Sequence, residues 1–225
     1  MRFRVNLTRP TTDVPLNNQH EMNGFIHAIL GKNNSYHDSV SDYSISSLQG
    51  GRLDRETNSL KFDEDVPHIY VASQNSTFIG DFMAGIMTAD ASVFGMKPDG
   101  VDITCDFNPN NYCDDIITIS PILIRNKDDR KITFEDPEWI ERVKRNCIGK
   151  LKHQGINDDT FDIELIKTED SKRKCVWVGD VFNPCSSVRL KVTGRRKTRT
   201  ALYNLGIGNS TGSGFGAVKI YGNKE

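Results

Sequence analysis

Histidine is the side chain best suited to acid–base chemistry at neutral pH, because its pKa of about 6.5 lies near working pH. The sequence has five histidines: His20, His27, His37, His68 and His153. His20 and His27 are seven residues apart, on the helical face opposite an apolar stripe, and both are expected to be exposed. His37 follows in the loop GKNNSYHDS. We predict that His20, His68 and His153 are surface or structural residues.

Four glycines near the end of the chain form two Gly-apolar-Gly steps in the segment GIGNSTGSGFG: Gly206, Gly208, Gly214 and Gly216. A dinucleotide-binding fingerprint is excluded because Thr211 holds the position of its third glycine, and a P-loop because no Gly-Lys-Ser/Thr occurs. A flexible linker is disfavoured, since only a short strand follows. The pattern predicts a rigid loop whose backbone amides come close to a ligand or to a neighbouring strand.

The net charge of −1 conceals a strongly basic C-terminal segment. Residues 1–120 contain 8 Lys/Arg against 16 Asp/Glu, whereas residues 186–225 contain 8 against 1. A concentrated cationic patch can hold a polyanion even on a nearly neutral protein, because the relevant field falls off within a Debye length. A solvated basic turn is the alternative. Most of these cations precede the glycines: Arg189, Lys191, Arg195, Arg196, Lys197 and Arg199.

Length and composition limit the class of protein. A chain of 225 residues with 36% hydrophobic content can form one large or two small domains. Five cysteines at irregular spacing, without a Cys-x-x-Cys pair, disfavour a zinc or redox site and fit a reducing cytoplasm. The longest nearly apolar run, IITISPILI, is too short and too polar to cross a bilayer, so neither export nor membrane anchoring is expected.

The first half of the sequence has the periodicity of alternating strands and helices. RFRVNLTR alternates like a half-buried strand, and residues 18–31 combine an Asn-to-Glu capping pair, an apolar stripe at helical spacing and a final glycine. DYSISSLQG, LKF and HIYVAS are predicted strands, FIGDFMAGIMTAD a helix and VDITCDF a strand. This is the order of a ferredoxin-like unit, βαββαβ.

The second half repeats this plan. IITISPILIR is a predicted strand, and residues 136–151 a helix with Asp136 as cap and Pro137 at its first position. FDIELIKT, CVWVGDV and SVRLKVTG follow as strands, RTALYNLG as a short helix and FGAVKIYG as the closing strand. We predict an α+β fold of two tandem ferredoxin-like (RRM-like) domains with a C-terminal glycine-rich loop. The domain bounds are predicted at 1–112 and 113–225.

The sequence resembles a known family in three places. GIGNSTGSGFG matches the glycine loop near the C-terminus of the CRISPR-associated repeat-RNA endoribonucleases, the Cas six family of the RAMP superfamily. PLNNQHEMNGFIHAILG followed by YHDS resembles the family's first helix and following histidine, and SPILIR the strand that opens its second domain. The resemblance implies two ferredoxin-like domains and metal-independent cleavage of precursor CRISPR RNA within each repeat. Attack by a ribose 2′-hydroxyl would leave a 5′-hydroxyl and a 2′,3′-cyclic phosphate.

The resemblance also implies which residues act. His37 lies where the family's catalytic histidine follows the first helix. His27 occupies a helix position where relatives often have a tyrosine or a second histidine, and the acid and base roles of this pair stay open. The family's lysine after the histidine is missing here, since the next lysine is Lys61. Lys32, or hydroxyl and backbone donors, are the alternatives for stabilising the phosphorane.

Repeat RNA is the partner that the resemblance implies, and no metal or other cofactor is expected. A hairpin formed by SVRLKVTGRRKTR is expected to present its six cations to RNA phosphates, and the four glycines to add backbone amides. An effector complex and a homodimer are assemblies that the sequence leaves open. The rival function is a non-catalytic RNA-binding module of the same superfamily. An unrelated two-domain protein with a structural glycine loop is the third alternative.

Overall fold

The computed structural model describes residues 1–31, 36, 41–104 and 113–222. The elements of the first half are, in chain order, β1 (Arg2–Leu7), β2 (Val14–Pro15), α1 (Gln19–Leu30), β3 (Tyr43–Ile45), β4 (Arg52–Asp54), β5 (Ser59–Lys61), β6 (His68–Ser73), α2 (Ser76–Thr88) and β7 (Pro98–Thr104). Those of the second half are β8 (Cys113–Thr118), β9 (Ile124–Arg125), β10 (Lys131–Ile132), α3 (Trp139–His153), β11 (Asp162–Ile166), β12 (Lys172–Val178), β13 (Val181–Ser187), β14 (Arg189–Thr193), α4 (Arg196–Leu205), a 3₁₀ turn (Thr211–Ser213) and β15 (Val218–Ile220). No helix in the described part of the chain is long and apolar enough to span a membrane.

The first sheet has the strand order β3-β6-β1-β7, and every neighbouring pair is antiparallel. With α1 after β1 and α2 after β6, this is the ferredoxin-like order that the sequence predicts. Strand β1 alternates because Val5 and Leu7 pack against the helices while Arg4 and Asn6 lie on the outer face. Aromatic and branched side chains from α1 and α2 complete this core, among them Phe25, Ile26, Phe78 and Phe82.

The second sheet has the same topology, with the strand order β11-β14-β8-β15. Helix α3 buries a stripe at helical spacing, formed by Val143, Cys147 and Leu151. Full burial of a valine or leucine side chain contributes about 1.5–3 kcal/mol to the stability of the fold. The predicted α+β class with two tandem ferredoxin-like domains is therefore confirmed. The predicted boundary at residue 112 falls between β7 and β8. It lies in the segment 105–112, which is outside the described residues.

Two β-ribbons occur in the second domain where the sequence analysis predicts single strands. IITISPILIR is divided between β8 and β9, and β9 pairs with β10. CVWVGDV contains the turn of a hairpin, in which β12 pairs with β13 along its whole length. The pair Gly179-Asp180 is a two-residue hairpin signal, which the run of strand formers around it conceals.

Two predicted helix starts differ in detail. Helix α3 begins at Trp139 rather than at Pro137, because the carboxylate of Asp136 accepts the Thr133 amide at 2.8 Å instead of capping the helix. Asn18 lies at the N-cap of α1 as predicted, but its side chain makes no capping hydrogen bond. Both differences are local, and the helix bodies are where periodicity places them.

The basic segment 187–199 does not form the predicted hairpin, because β14 leads directly into α4. A carboxylate from the loop before β11 caps this helix. Asp158 Oδ2 accepts the Arg195 amide at 2.7 Å and the Thr198 hydroxyl at 2.5 Å. Backbone amides at a helix start need such acceptors, so this contact explains why the helix begins within the basic run.

One of the six cations is buried. The Arg199 guanidinium pairs with Asp114 of β8, and both side chains are 3% exposed. Arg199 also donates to the Gly194 carbonyl at 3.0 Å. The prediction that Arg199 binds RNA phosphates is therefore wrong, since its charge is already neutralised inside the second domain.

The two domains meet where α4 covers the outer face of the first sheet. The Arg2 guanidinium lies between the rings of Tyr70 on β6 and Tyr203 on α4, 4.4 and 4.8 Å from their centroids. It also donates to the Val218 carbonyl of β15 at 2.7 Å. Close to this group, the Ser44 hydroxyl of β3 donates to a carbonyl of α4 at 2.9 Å. These contacts hold the first sheet against the helical side of the second domain.

Replacing Arg199 by Met is expected to cost about 3–5 kcal/mol in the free energy of unfolding, because Asp114 would keep a buried charge without its partner. Lys197→Met, an exposed position on the same helix, should change it by no more than about 0.5 kcal/mol. Urea unfolding of the three proteins measures both values. Equal effects of the two substitutions would contradict the buried ion pair.

Candidate active site

A cleft of about 650 Å³ lies between the two domains. Helix α1 and strand β3 form one wall, and α3 together with the glycine loop, residues 206–216, forms the other. Most of the residues that line the cleft are polar: His27, Tyr36, Ser41, Tyr43, Asn146, Gly149, Lys150, His153, Gly208, Asn209, Ser210, Thr211 and Ser213. Groups from both domains therefore face a single space.

Helix α1 places His27 in this cleft. Its apolar stripe, including Phe25, is buried in the first domain, which turns His27 to the other side. His27 is half-buried and so less exposed than predicted, whereas His20 near the helix start is exposed, as predicted. His37, the other predicted catalytic residue, and Lys32 lie outside the described residues.

Tyr36 lines the same wall and is held by two kinds of contact. Its hydroxyl donates to Asp81 Oδ2 of α2 at 2.7 Å. Its ring packs edge-on against Tyr43 and Phe78, with centroid distances of 6.2 and 5.1 Å. Burial, and then the hydrogen bond to Asp81, raise the pKa of Tyr36 to about 12. Its hydroxyl is therefore protonated at neutral pH and engaged with Asp81.

Helix α3 supplies the facing wall. Asn146, Lys150 and His153 follow one another at helical spacing and line the cleft, while Cys147 and the rest of the apolar stripe are buried in the second domain. One helix thus has a core face and a cleft face side by side. His153, predicted to be structural, lies at the edge of the cleft.

Lys150 is bound to the end of α4. Its ammonium donates to the carbonyls of Leu205 and Gly206 at 3.2 and 3.1 Å, and to the Thr211 hydroxyl at 3.1 Å. The carbonyls are at the negative end of the helix dipole, where a cation is favoured. Burial nevertheless lowers the pKa of Lys150 to about 8. The side chain is therefore mostly protonated at neutral pH and brings a positive charge to the cleft.

A second contact between the domains lies beside Lys150. His153 Nδ1 is 3.3 Å from Asp42 Oδ1, just before β3, and the side-chain amide of Gln154 donates to the same oxygen at 2.8 Å. Because Asp42 belongs to the first domain, and His153 and Gln154 belong to the second, these contacts join the cleft walls.

The four glycines of the two Gly-apolar-Gly steps are buried, and they pack against protein. The Gly206 amide donates to the Leu202 carbonyl and the Gly216 amide to the Pro121 carbonyl, both at 2.9 Å. These two amides are occupied, so the expectation that they contact RNA is wrong. Of the four glycines, Gly208 lines the cleft. Gly216 has a φ of +62°, and a Cβ there would overlap a carbonyl oxygen within the loop.

Residues 96–220, more than half of the chain, match the sequence profile of the family described as CRISPR associated protein Cas6, C-terminal. The chain belongs to the Cas6 family. The recognition made from the glycine loop and first helix is therefore confirmed.

Individual relatives agree with this assignment to the Cas6 family. The CRISPR-associated endoribonuclease Cas6 1 of Methanocaldococcus jannaschii is 24% identical over 243 residues, covering 97% of this chain and 92% of that protein. A solved structure of a Cas6-related gene product from Pyrococcus furiosus has a TM-score of 0.80 at 20% identity, over 100% of this chain and 99% of its own. A solved RAMP protein described as binding different RNA substrates has a TM-score of 0.83 at 18% identity, and the match covers 98% of this chain and 99% of that one. The two structures share the fold described above.

None of the six predicted cations, all within the described residues, lines the cleft of this Cas6 family member. Arg189 forms an ion pair with Asp115, and Lys191 on the same strand is half-buried. The exposed cations lie at the start of α4: Arg195, Arg196 and Lys197.

Three residues of the cleft were not predicted from the sequence: Tyr36, Asn146 and Lys150. For α3 the sequence does contain a signal, because polar residues recur at helical spacing beside the apolar stripe. The other basic residues at the end of this helix make that signal hard to distinguish from a solvated face. No sequence signal pairs Tyr36 with Asp81, because their contact spans 45 positions.

Gly216→Ala is expected to lower the free energy of unfolding by about 2 kcal/mol or more, because the added Cβ meets the Ile207 carbonyl and φ is positive. Gly149→Ala should raise it by about 0.5–1 kcal/mol, since this helical glycine has open space around it. Chemical denaturation measures both changes. A Gly216→Ala variant as stable as the parent would contradict the tight packing of the loop.

Proposed function

We propose that the protein is a metal-independent endoribonuclease that cleaves precursor CRISPR RNA within its repeats and so produces guide RNA. The observation that carries the proposal is the cleft of a Cas6 family member in which His27 faces α3 and the glycine loop. The name of the M. jannaschii relative, an endoribonuclease, supports the activity. Its substrate and products are part of the proposal.

The proposed reaction is an internal transfer that consumes no water. The ribose 2′-oxygen attacks the adjacent phosphorus while a base takes its proton, and the bond from phosphorus to the 5′-oxygen breaks while an acid protonates that oxygen. One product ends in a 2′,3′-cyclic phosphate and the other begins with a 5′-hydroxyl. The proposed acid and base are His27 and His37, in either order.

Two observations support this assignment of the histidines. His27 is half-buried in the cleft, where water is restricted and charges interact more strongly than in bulk solvent. Tyr36, the residue before His37 in the sequence, lines the same cleft. We propose that both histidines belong to one centre.

The negative charge that develops on the phosphorane needs stabilisation, which preorganised donors and cations supply. The family's lysine after the loop histidine is missing from this sequence, and the charge of Lys150 is the cation that the described part of the cleft offers. Hydroxyl groups of Ser41 and Ser210 line the same space. We propose that this combined field replaces the missing lysine.

We further propose that RNA phosphates are bound by exposed cations at the start of α4. Arg196 and Lys197 lie on the first turn of this helix, where the dipole also favours anions. Arg189, Lys191 and Arg195 are secondary candidates, and the first and last of these would have to exchange a carboxylate partner for RNA. Gly208 and Gly214 stay as proposed backbone contacts.

Cleavage of a repeat RNA from the organism's own genome, measured in excess EDTA under single-turnover conditions, tests the reaction. His27→Ala and His37→Ala should each reduce the rate at least about 100-fold, the usual contribution of a general acid or base. His20→Ala, an exposed histidine on the same helix, should leave the rate within about 2-fold of the parent. The upstream product should carry a phosphate that phosphatase removes only after acid opens the ring.

Other outcomes of this experiment identify the alternatives. Tight RNA binding by the parent protein without any cleavage would favour the non-catalytic RNA-binding module. Cleavage that EDTA abolishes, or that leaves a 3′-hydroxyl, would contradict the internal-transfer mechanism. The absence of both binding and cleavage would overturn the assignment of repeat RNA as the substrate.

The salt dependence of RNA affinity tests the proposed phosphate contacts. If Arg196 and Lys197 each neutralise one phosphate, Arg196→Gln with Lys197→Gln should flatten the slope of log affinity against log salt by about 1.4, or roughly 0.7 for each contact. Lys97→Gln is the control, because Lys97 is an exposed lysine of the first domain paired with Asp90. An unchanged slope in the double variant would place the RNA elsewhere on the protein.

A further inference from the structure

Lys150 uses all of its hydrogen-bonding capacity inside the protein. A lysine ammonium has three donors, and the three acceptors at 3.1–3.2 Å are the carbonyls of Leu205 and Gly206 and the hydroxyl of Thr211. The Leu205 carbonyl belongs to the last turn of α4 and the Gly206 carbonyl follows directly after it, at a helix end whose final carbonyls have no partner within the helix. Lys150 therefore satisfies buried acceptors, and it has no free donor with which to contact a substrate directly.

The contact continues across the domain boundary through Thr211. Its hydroxyl accepts from Lys150 and donates to the Tyr43 carbonyl of β3 at 3.1 Å. The next residue, Gly212, lies against β3 so closely that a Cβ would come within 2.8 Å of the Tyr43 ring and 2.7 Å of the Ser41 hydroxyl. A continuous path of hydrogen bonds thus runs from α3 through the glycine loop to the first domain.

This path determines where one wall of the cleft lies. Ser210 and Ser213 line the cleft on either side of Thr211, and His27 lines it from the opposite wall. Without the Lys150 ammonium, the Thr211 hydroxyl and the end of α4 would lose the donor that draws them toward α3. The glycine loop would then no longer be held against α3 by these three hydrogen bonds, although His153 and Gln154 would still contact Asp42 of the first domain.

We propose that Lys150 is a positioning residue, which holds the glycine loop between α3 and β3 and so maintains the wall that faces His27. The catalytic part of this inference rests on the proposed function. In addition to the charge proposed above, Lys150 acts through Thr211 and the loop backbone, so this effect is on the rate of the bound complex rather than on the affinity for RNA. A misplacement of about 1 Å at a reacting centre can cost about 100-fold in rate.

Four variants and one control test the proposal. Lys150→Met keeps the side-chain length and removes the donors, and Thr211→Val keeps the shape and removes the hydroxyl. Thr211→Ser restores that hydroxyl, and the double variant Lys150→Met/Thr211→Val tests whether the two residues act as one unit. Lys152→Met is the matched control, because Lys152 is an exposed lysine two residues further along α3.

The single-turnover rate at saturating repeat RNA should fall about 10- to 100-fold in Lys150→Met and in Thr211→Val. The affinity for an RNA with a 2′-deoxyribose at the cleavage site should stay within about 3-fold. Thr211→Ser and Lys152→Met should cleave at close to the parent rate, and the double variant should be no slower than the slower single variant. A purely structural Lys150 would lower the unfolding temperature and leave the rate at saturation unchanged, which would overturn the proposal.

Amide hydrogen exchange without RNA separates this inference from the proposed function. Exchange across residues 206–214 should accelerate in Lys150→Met and Thr211→Val, but not in Lys152→Met. Unchanged protection in both loop variants would overturn the positioning role whether or not the parent protein cleaves RNA. Failure of the parent to cleave, with faster exchange in these variants, would overturn the proposed function alone. Should Lys150→Met fail to fold, Thr211→Val provides the same comparison.

Discussion

The packing of α4 against the outer face of the first sheet is the constraint on which the cleft depends. Burying a guanidinium is costly unless its charge is compensated, and Arg2 is compensated in part by two tyrosine rings and one carbonyl drawn from both domains, while its Nε and Nη2 have no hydrogen-bond partner among the described residues. The contact therefore forms only when both domains are in place. It brings α1 and α3 into facing positions, and the space left between them is the cleft.

The glycine loop is best understood as a consequence of that packing. Its glycines are buried, and two of their amides bond to protein carbonyls, so their small size lets the backbone pass between two folded domains. The groups that reach the cleft are the polar residues between the glycines, together with Gly208. A sequence feature that suggested direct ligand contact thus acts mainly by placing Ser210, Thr211 and Ser213.

Periodicity predicted the fold because helices and strands of both domains obey local rules. The apolar stripes of α1 and α3 and the alternation of β1 mark buried faces directly, and their order along the chain specifies two ferredoxin-like domains. The predictions that failed concerned residues whose contact partners are distant in the sequence. Arg199 is classed as a surface cation until Asp114, 85 positions earlier, is known to lie beneath it. In the sequence, Lys150 does not differ from the other lysines at the end of α3, and only its contact with the end of α4 distinguishes it. His27 was proposed from the family resemblance, and its half-burial was not foreseen, because the facing wall of the cleft comes from the second domain.

The bond from Arg2 to Val218 joins positions 216 residues apart and has a consequence for synthesis of the protein on the ribosome. Domains fold in order as the chain emerges, so the first sheet can form long before β15 and α4 are available. During that interval its outer face, with Arg2 and Tyr70, is uncovered. The polar and charged side chains on that face, including Arg4 and Asn6, keep the nascent domain from presenting a wholly apolar surface to other chains. Arg2 therefore has a part in both stages, because it adds a charge to the uncovered face of the nascent domain and later contacts Val218 and Tyr203 of the second domain.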